Sequence, residues 1–124
     1  MNLEISSFAD AGDLEKERLV MKVLKDIDIG DYAVFHSEAS EGTPTSGAKK
    51  AYWFPDGTAR SGDLVILYTK RGKTSTKKLT GGRVAHFYYW GNESELWGNH
   101  DAAAAVVLEV AEWTLESPKQ SRPV

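Results

Sequence analysis

Along most of this chain apolar residues recur at every second position, the pattern of strands that turn one face to a core. Leu3, Ile5 and Phe8 make a first short run of this kind, and a charged bend, DAGDLEKE, follows. In ERLVMKVLK, Leu19, Met21 and Val23 alternate with Val20, Lys22 and Leu24. DYAVFHSE is a further strand, and KAYWFPDG is another, closed by a Pro-Asp-Gly turn in which Pro sets φ and Gly accepts a positive value. GDLVILYTK is apolar on both faces, the mark of a central strand covered on two sides. AHFYYW and, after the turn WGNES, an apolar run from Ala102 complete the series, whereas ASEGTPTSGAKK reads as a loop.

One segment does not declare itself. DAAAAVVLEVAEW has four alanines, a Leu, a Glu and an N-cap in Asp101, all favourable to helix. It also has Val106, Val107 and Val110, with Val106, Leu108 and Val110 alternating around Glu109, which favours strand. Its own residues leave both readings open.

Composition narrows the class without changing the pattern. The 124 residues suit one domain, predicted over residues 1–116, with SPKQSRPV from 117 to 124 as a flexible C-terminal tail. A chain this long buries roughly two-thirds of its unfolded surface. A formal charge of −3 gives no general pull toward nucleic acid or anionic lipid. Without cysteine there is no disulfide framework, thiolate nucleophile or zinc knuckle. MNLEISSFADAGD lacks the basic and apolar regions of a secretory signal, and no run approaches a membrane span, so the cytoplasm is the default compartment.

Candidate chemistry begins with KDIDIGDYAVF, where Asp26, Asp28 and Asp31 lie close together. A calcium loop starting at Asp26 would place Gly30 fifth, Asp31 sixth and Ser37 twelfth, which fails the EF-hand pattern at three positions. The stretch therefore reads as a corner, Ile27 and Ile29 inward and Asp28 outward, and no metal site is expected. Catalytic signals are weak. His36, His86 and His100 are far apart, no Ser sits in a Gly-X-Ser-X-Gly elbow, and His100-Asp101 adjacency does not orient an imidazole. RGKTST lacks the Gly that a phosphate loop needs five residues before Gly72, where Leu67 stands. No cofactor is expected, and an enzyme of unrecognised type is the least favoured reading.

Two surface features stand out. Residues 70–83 carry Lys70, Arg71, Lys73, Lys77, Lys78 and Arg83 with no acid, so removing these six from a net of −3 leaves −9 elsewhere. This basic connection is either a solvated hairpin guarding a sheet edge or an anion site for nucleic-acid phosphates. The aromatic strands present Tyr52 and Phe54 opposite Trp53, and Phe87 and Tyr89 opposite His86, Tyr88 and Trp90. Trp53, Tyr88 and Trp90 are candidates for an exposed aromatic platform, while Trp97, in a turn, is expected to plug one end of the core.

Three segments, in order, resemble the lamin tail domain: ERLVMKVLKDIDIGDYAVF, YWFPDGTARSGDLVILYT and FYYWGNESELWGNHDAAAAVVLEV. They span roughly residues 17–113. Asp31-Tyr32 replaces the family's Gly-Trp step, with Gly30 one place early, and His100 stands where a Gly commonly precedes the turn aspartate. The resemblance implies an all-β, immunoglobulin-like β-sandwich of two packed, mostly antiparallel sheets, and a strand rather than a helix after Ala102. It also implies a non-enzymatic recognition module for a protein partner. Nucleic-acid association through residues 70–83 is the alternative.

Overall fold

A computed structural model describes residues 1–98 and 101–119. The period-two segments form strands, and shorter strands form between them, β5 within the stretch expected to be a loop: β1 (Leu3–Ala9), β2 (Arg18–Val23), β3 (Ile27–Asp28), β4 (Tyr32–Ser40), β5 (Thr43–Pro44), β6 (Lys50–Trp53), β7 (Thr58–Ala59), β8 (Leu64–Tyr68), β9 (Ser75–Lys78), β10 (Val84–Tyr89) and β11 (Ala103–Glu109). One sheet runs β1-β2-β8-β10-β9; a second runs β11-β4-β5, with β6 also on β4; β3 and β7 form a small ribbon. Pairing is antiparallel except between β8 and β10, so the protein is an all-β sandwich with mostly antiparallel sheets.

The alternation identifies the inner faces. Leu19, Met21, Val23, Val65 and Leu67 from the larger sheet meet Tyr32, Val34 and Phe54 from the smaller one, all at most 3% exposed. Each such side chain contributes about 1.5–3 kcal/mol of transfer free energy against the chain entropy lost on folding. Trp97 is half-buried and touches Phe8, His36 and Trp90 with ring centroids 5.2, 5.0 and 6.4 Å away, so it meets the core through Trp90.

The acidic stretch is a corner. Asp28 Oδ1 accepts the amides of Gly30 (2.9 Å) and Gly57 (3.0 Å), and Asp26 Oδ1 accepts that of Ser61 (2.9 Å). The Gly57 and Gly30 amides hold the Asp28 carboxyl below the usual range. Ile29 is buried, Ile27 packs on the core and Asp28 is exposed. Gly30 is required by close approach rather than by positive φ, since a Cβ there would lie 2.8 Å from Asp56 Cα. Asp31 is not at positive φ either, so the shifted glycine strains nothing.

One open segment resolves as the resemblance implies, and two expectations change. The segment after Ala102 is a strand, because seven consecutive residues pair with β4 from Ala103↔Glu38 to Glu109↔Tyr32. Tertiary pairing overrides alanine's helix propensity. β8 is central, yet only Val65 and Leu67 are buried; Leu64, Ile66 and Tyr68 lie half-exposed on an outer face with no layer over it. The basic connection holds a strand of its own, β9, paired with β10 from Val84↔Lys78 to Phe87↔Ser75.

The interior also holds ionisable groups. Glu17 is 0% exposed and has no basic partner among the described residues. Its Oε1 accepts the amides of Gly12 (2.9 Å) and Trp97 (3.1 Å), and its Oε2 accepts the Leu96 amide (2.9 Å) and the Thr69 hydroxyl (2.5 Å). Four donors thus replace the water the carboxylate loses. The β1–β2 bend, the end of β8 and the turn preceding β11 are tied at this one side chain.

Candidate interaction surface: the open edge of β11

β11 has a partner on one side only. The Ala39 amide donates to Ala102 O (2.9 Å) and the Val110 amide to Asp31 O (2.7 Å), so even-numbered residues of this segment point their backbone groups at β4. Ala103, Ala105, Val107 and Glu109 therefore turn their N–H and C=O groups away from the sheet. Among the described residues no strand pairs with them. The strand is AAAVVLE, without charge before its last residue. Beside it lies a groove of about 360 Å³ whose lining includes Leu3, Glu4 and Ile5 of β1 and Ala105 to Val107 of β11.

The outer face of this sheet continues the apolar character. Ala105 and Val107 pack toward the core, so Val106 and Leu108 point outward. Phe35 is opposite Val106, Ala33 opposite Leu108, and Trp53 beyond Ala33. Trp53 is 50% exposed, its Nε1 donates to Gly30 O (2.7 Å), and Trp113, 68% exposed, meets it edge-on at 6.0 Å. Val106, Leu108 and Phe35 are half-exposed beside the two exposed tryptophans, and apolar surface of this kind marks protein contact sites. β11 and its groove were not legible beforehand, because an edge is a property of sheet order.

The platform expected from the sequence is corrected. Trp53 is exposed, but Tyr88 is 5% exposed and Trp90 packs on the core. Tyr88 meets Phe54 at 5.1 Å, and burial, followed by the charges of Tyr52 and Asp28, pushes its phenol up to about 12. His86, Tyr88 and Trp90 took the inner face, leaving Phe87 and Tyr89 outside. Outside, Tyr68 and Tyr89 stack at 5.1 Å and 15°. Gly72 lies against Tyr89, where a Cβ would fall 2.6 Å from the ring's Cγ, so any larger residue requires the ring to move. Arg18 and Lys70 lie 5.8 and 5.5 Å from the Tyr68 ring centre. These rings are engaged with one another and with cations rather than spread for a base to stack on.

Three of the six basic residues have polar partners of their own. Lys70 lies 3.7 Å from Glu15 and Arg71 3.4 Å from Glu93, while Arg83 Nε donates to Thr80 O at 3.4 Å. Lys73, Lys77 and Lys78 remain exposed on and before β9, with no carboxylate partner among the described residues.

His36 and His86 are each held by a hydrogen bond. His36 Nε2 donates to Leu96 O (3.0 Å). His86 pairs with Asp63 (2.9 Å), whose oxygens also accept the amides of Arg60 and Val84, both at 3.0 Å. Burial pushes the Asp63 carboxyl up, but these hydrogen bonds and the His86 charge outweigh it and leave it below the usual range. His100 lies outside the described residues, as does the tail from 120 onward. Among the described residues no three His, Asp or Glu converge as a metal site, and no helix is long and apolar enough to cross a membrane. Comparison of the chain with protein-family models, curated proteins and solved structures finds no match.

Proposed function

We propose that this protein is a non-enzymatic recognition module that takes up an extended segment of a protein partner by strand addition along β11. The observation that carries this reading is the row of unpaired backbone donors and acceptors at Ala103, Ala105, Val107 and Glu109 on a strand with no charge before Glu109. Natural sheets blunt such edges with lysine, proline or bulges, and an unguarded one is a template for another strand. Backbone hydrogen bonds would supply affinity, and the outward apolar residues Val106 and Leu108, with Phe35 and Trp53 beyond them, would read alternate side chains of the partner. The resemblance to lamin tail domains points the same way, since that family serves in adhesion and recognition.

The nucleic-acid reading has less support. Two of its six cations lie beside carboxylates, a third bonds a backbone carbonyl, and the outer tyrosines are stacked on each other. Selecting ligands from a displayed peptide library and mapping the amide resonances they shift decides the matter. Strand addition predicts shifts and slowed hydrogen exchange at residues 103, 105, 107 and 109. Ligands mapping to residues 73–78, or binding of a mixed-sequence oligonucleotide lost on changing Lys73, Lys77 and Lys78 to Glu, would overturn it.

A further inference from the structure

We infer that the segment taken up along β11 is an apolar strand flanked by lysine or arginine, an inference that rests on the strand-addition reading. The two long strands that line the groove, β1 and β11, contain no Lys or Arg; their charged residues are Glu4 and Glu109. Acid stands at both ends of the edge. Asp101 precedes β11, and exposed Glu41 lies beyond the β4 end of the pair. At the far end are Glu109 and Asp31, whose carbonyl holds the Val110 amide, and exposed Glu112 follows. Within the groove Glu4 is the one lining residue with a charged side chain, the other lining side chains are apolar, and the Met1 amino group lies at its rim.

A strand laid here would pass over an apolar middle and leave its two ends beside carboxylates. Opposite charges there favour binding, whereas acidic flanks would be repelled. The same arrangement disfavours a second copy of this chain. Antiparallel pairing of two β11 strands would bring the Glu109 end of one chain to the Asp101 end of the other, and parallel pairing would align like ends. In both cases acid meets acid.

The test uses three peptide libraries with one randomised core of Val, Ile, Leu and Thr, flanked by Lys, by Gly-Ser or by Glu, with binding read by amide shifts on the full chain. The expected result is shifts along β11 and affinity for Lys-flanked members roughly tenfold above Glu-flanked ones, the scale of a few exposed charge pairs, shrinking as salt rises. The Asp101→Asn/Glu112→Gln double variant, checked by its melting curve, should reduce that preference. Equal binding of all three libraries along β11 would overturn the basic-flank inference and leave strand addition standing. No binding by any library, or shifts confined to another face, would overturn both. Protection of β11 amides through concentration-dependent dimerisation, without peptide, would make a second copy the occupant and overturn the inference.

Discussion

Two of the sheet edges, β9 and β11, are of opposite character. β9, the last strand of the larger sheet, is the four-residue STKK, exposed throughout, with Lys77 and Lys78 in the strand and Lys73 before it. β11, on the smaller sheet, is longer at seven residues and carries no lysine. Both edges leave backbone groups unpaired, so hydrogen-bonding capacity does not distinguish them. The difference is what an incoming strand would meet. At β9 it would desolvate lysines on a short edge; at β11 it would cover apolar side chains that water already solvates poorly. One edge is guarded and the other is not, which is why the interaction surface is assigned to β11.

The largest test of this contrast asks whether the sheet carrying β11 has the inner and outer faces given to it. Phe54→Ala should cost about 3–5 kcal/mol in denaturant unfolding, the usual loss for a buried large aromatic. Trp53→Ala, on the outer face, should cost about 1 kcal/mol and act on partner binding instead. Equal losses would erase the distinction between the faces. Next in size is Glu17, which secures the turn before β11. Glu17→Ala leaves the donors of Gly12, Thr69, Leu96 and Trp97 without their acceptor, and should cost about 2–3 kcal/mol. Unchanged stability would mean that water replaces the carboxylate at no cost.

On the β9 side, Asp63 provides a pH test. Its carboxyl is depressed in the folded state, so its ionised form adds stability that is present above the ordinary carboxylate pKa and fades as pH falls through the folded value. Asp63→Asn should lower stability near neutral pH by about 1–2 kcal/mol and flatten that part of the acid-unfolding profile. A profile unchanged by the substitution would remove the Asp63–His86 pair from the account. The smallest stability effects belong to the edges themselves. Val106→Lys should stay within about 0.5 kcal/mol of wild type yet abolish strand addition, while Lys77→Val with Lys78→Val should make β9 associate with increasing concentration in sedimentation. If neither swap alters association, edge chemistry is not what separates the two strands.

Much of this architecture follows from local pattern. The alternation in ERLVMKVLK and LVILY assigns inner faces because a strand's side chains have a period of two, and Leu19, Met21, Val65 and Leu67 are where that places them. The corner at Asp26–Asp31 is legible as a bend, but its anchoring is not local, since Asp28 and Asp26 accept from Gly57 and Ser61, 29 and 35 positions away. What only the tertiary structure decided are relations between distant residues. AAAVVLE is a strand because β4 pairs with it, and it is an edge because nothing pairs with its other side. Which face of HFYYW is buried depended on the sheet it met, and that choice put Tyr88 inside and Tyr89 outside. Glu17 accepts from residues 52 and 79–80 positions away, and Asp63 bonds His86 across 23. Periodicity reports a residue's orientation relative to its neighbours in the chain; partners, edges and buried charges depend on which strands lie side by side, and that is settled by the packing of the whole core.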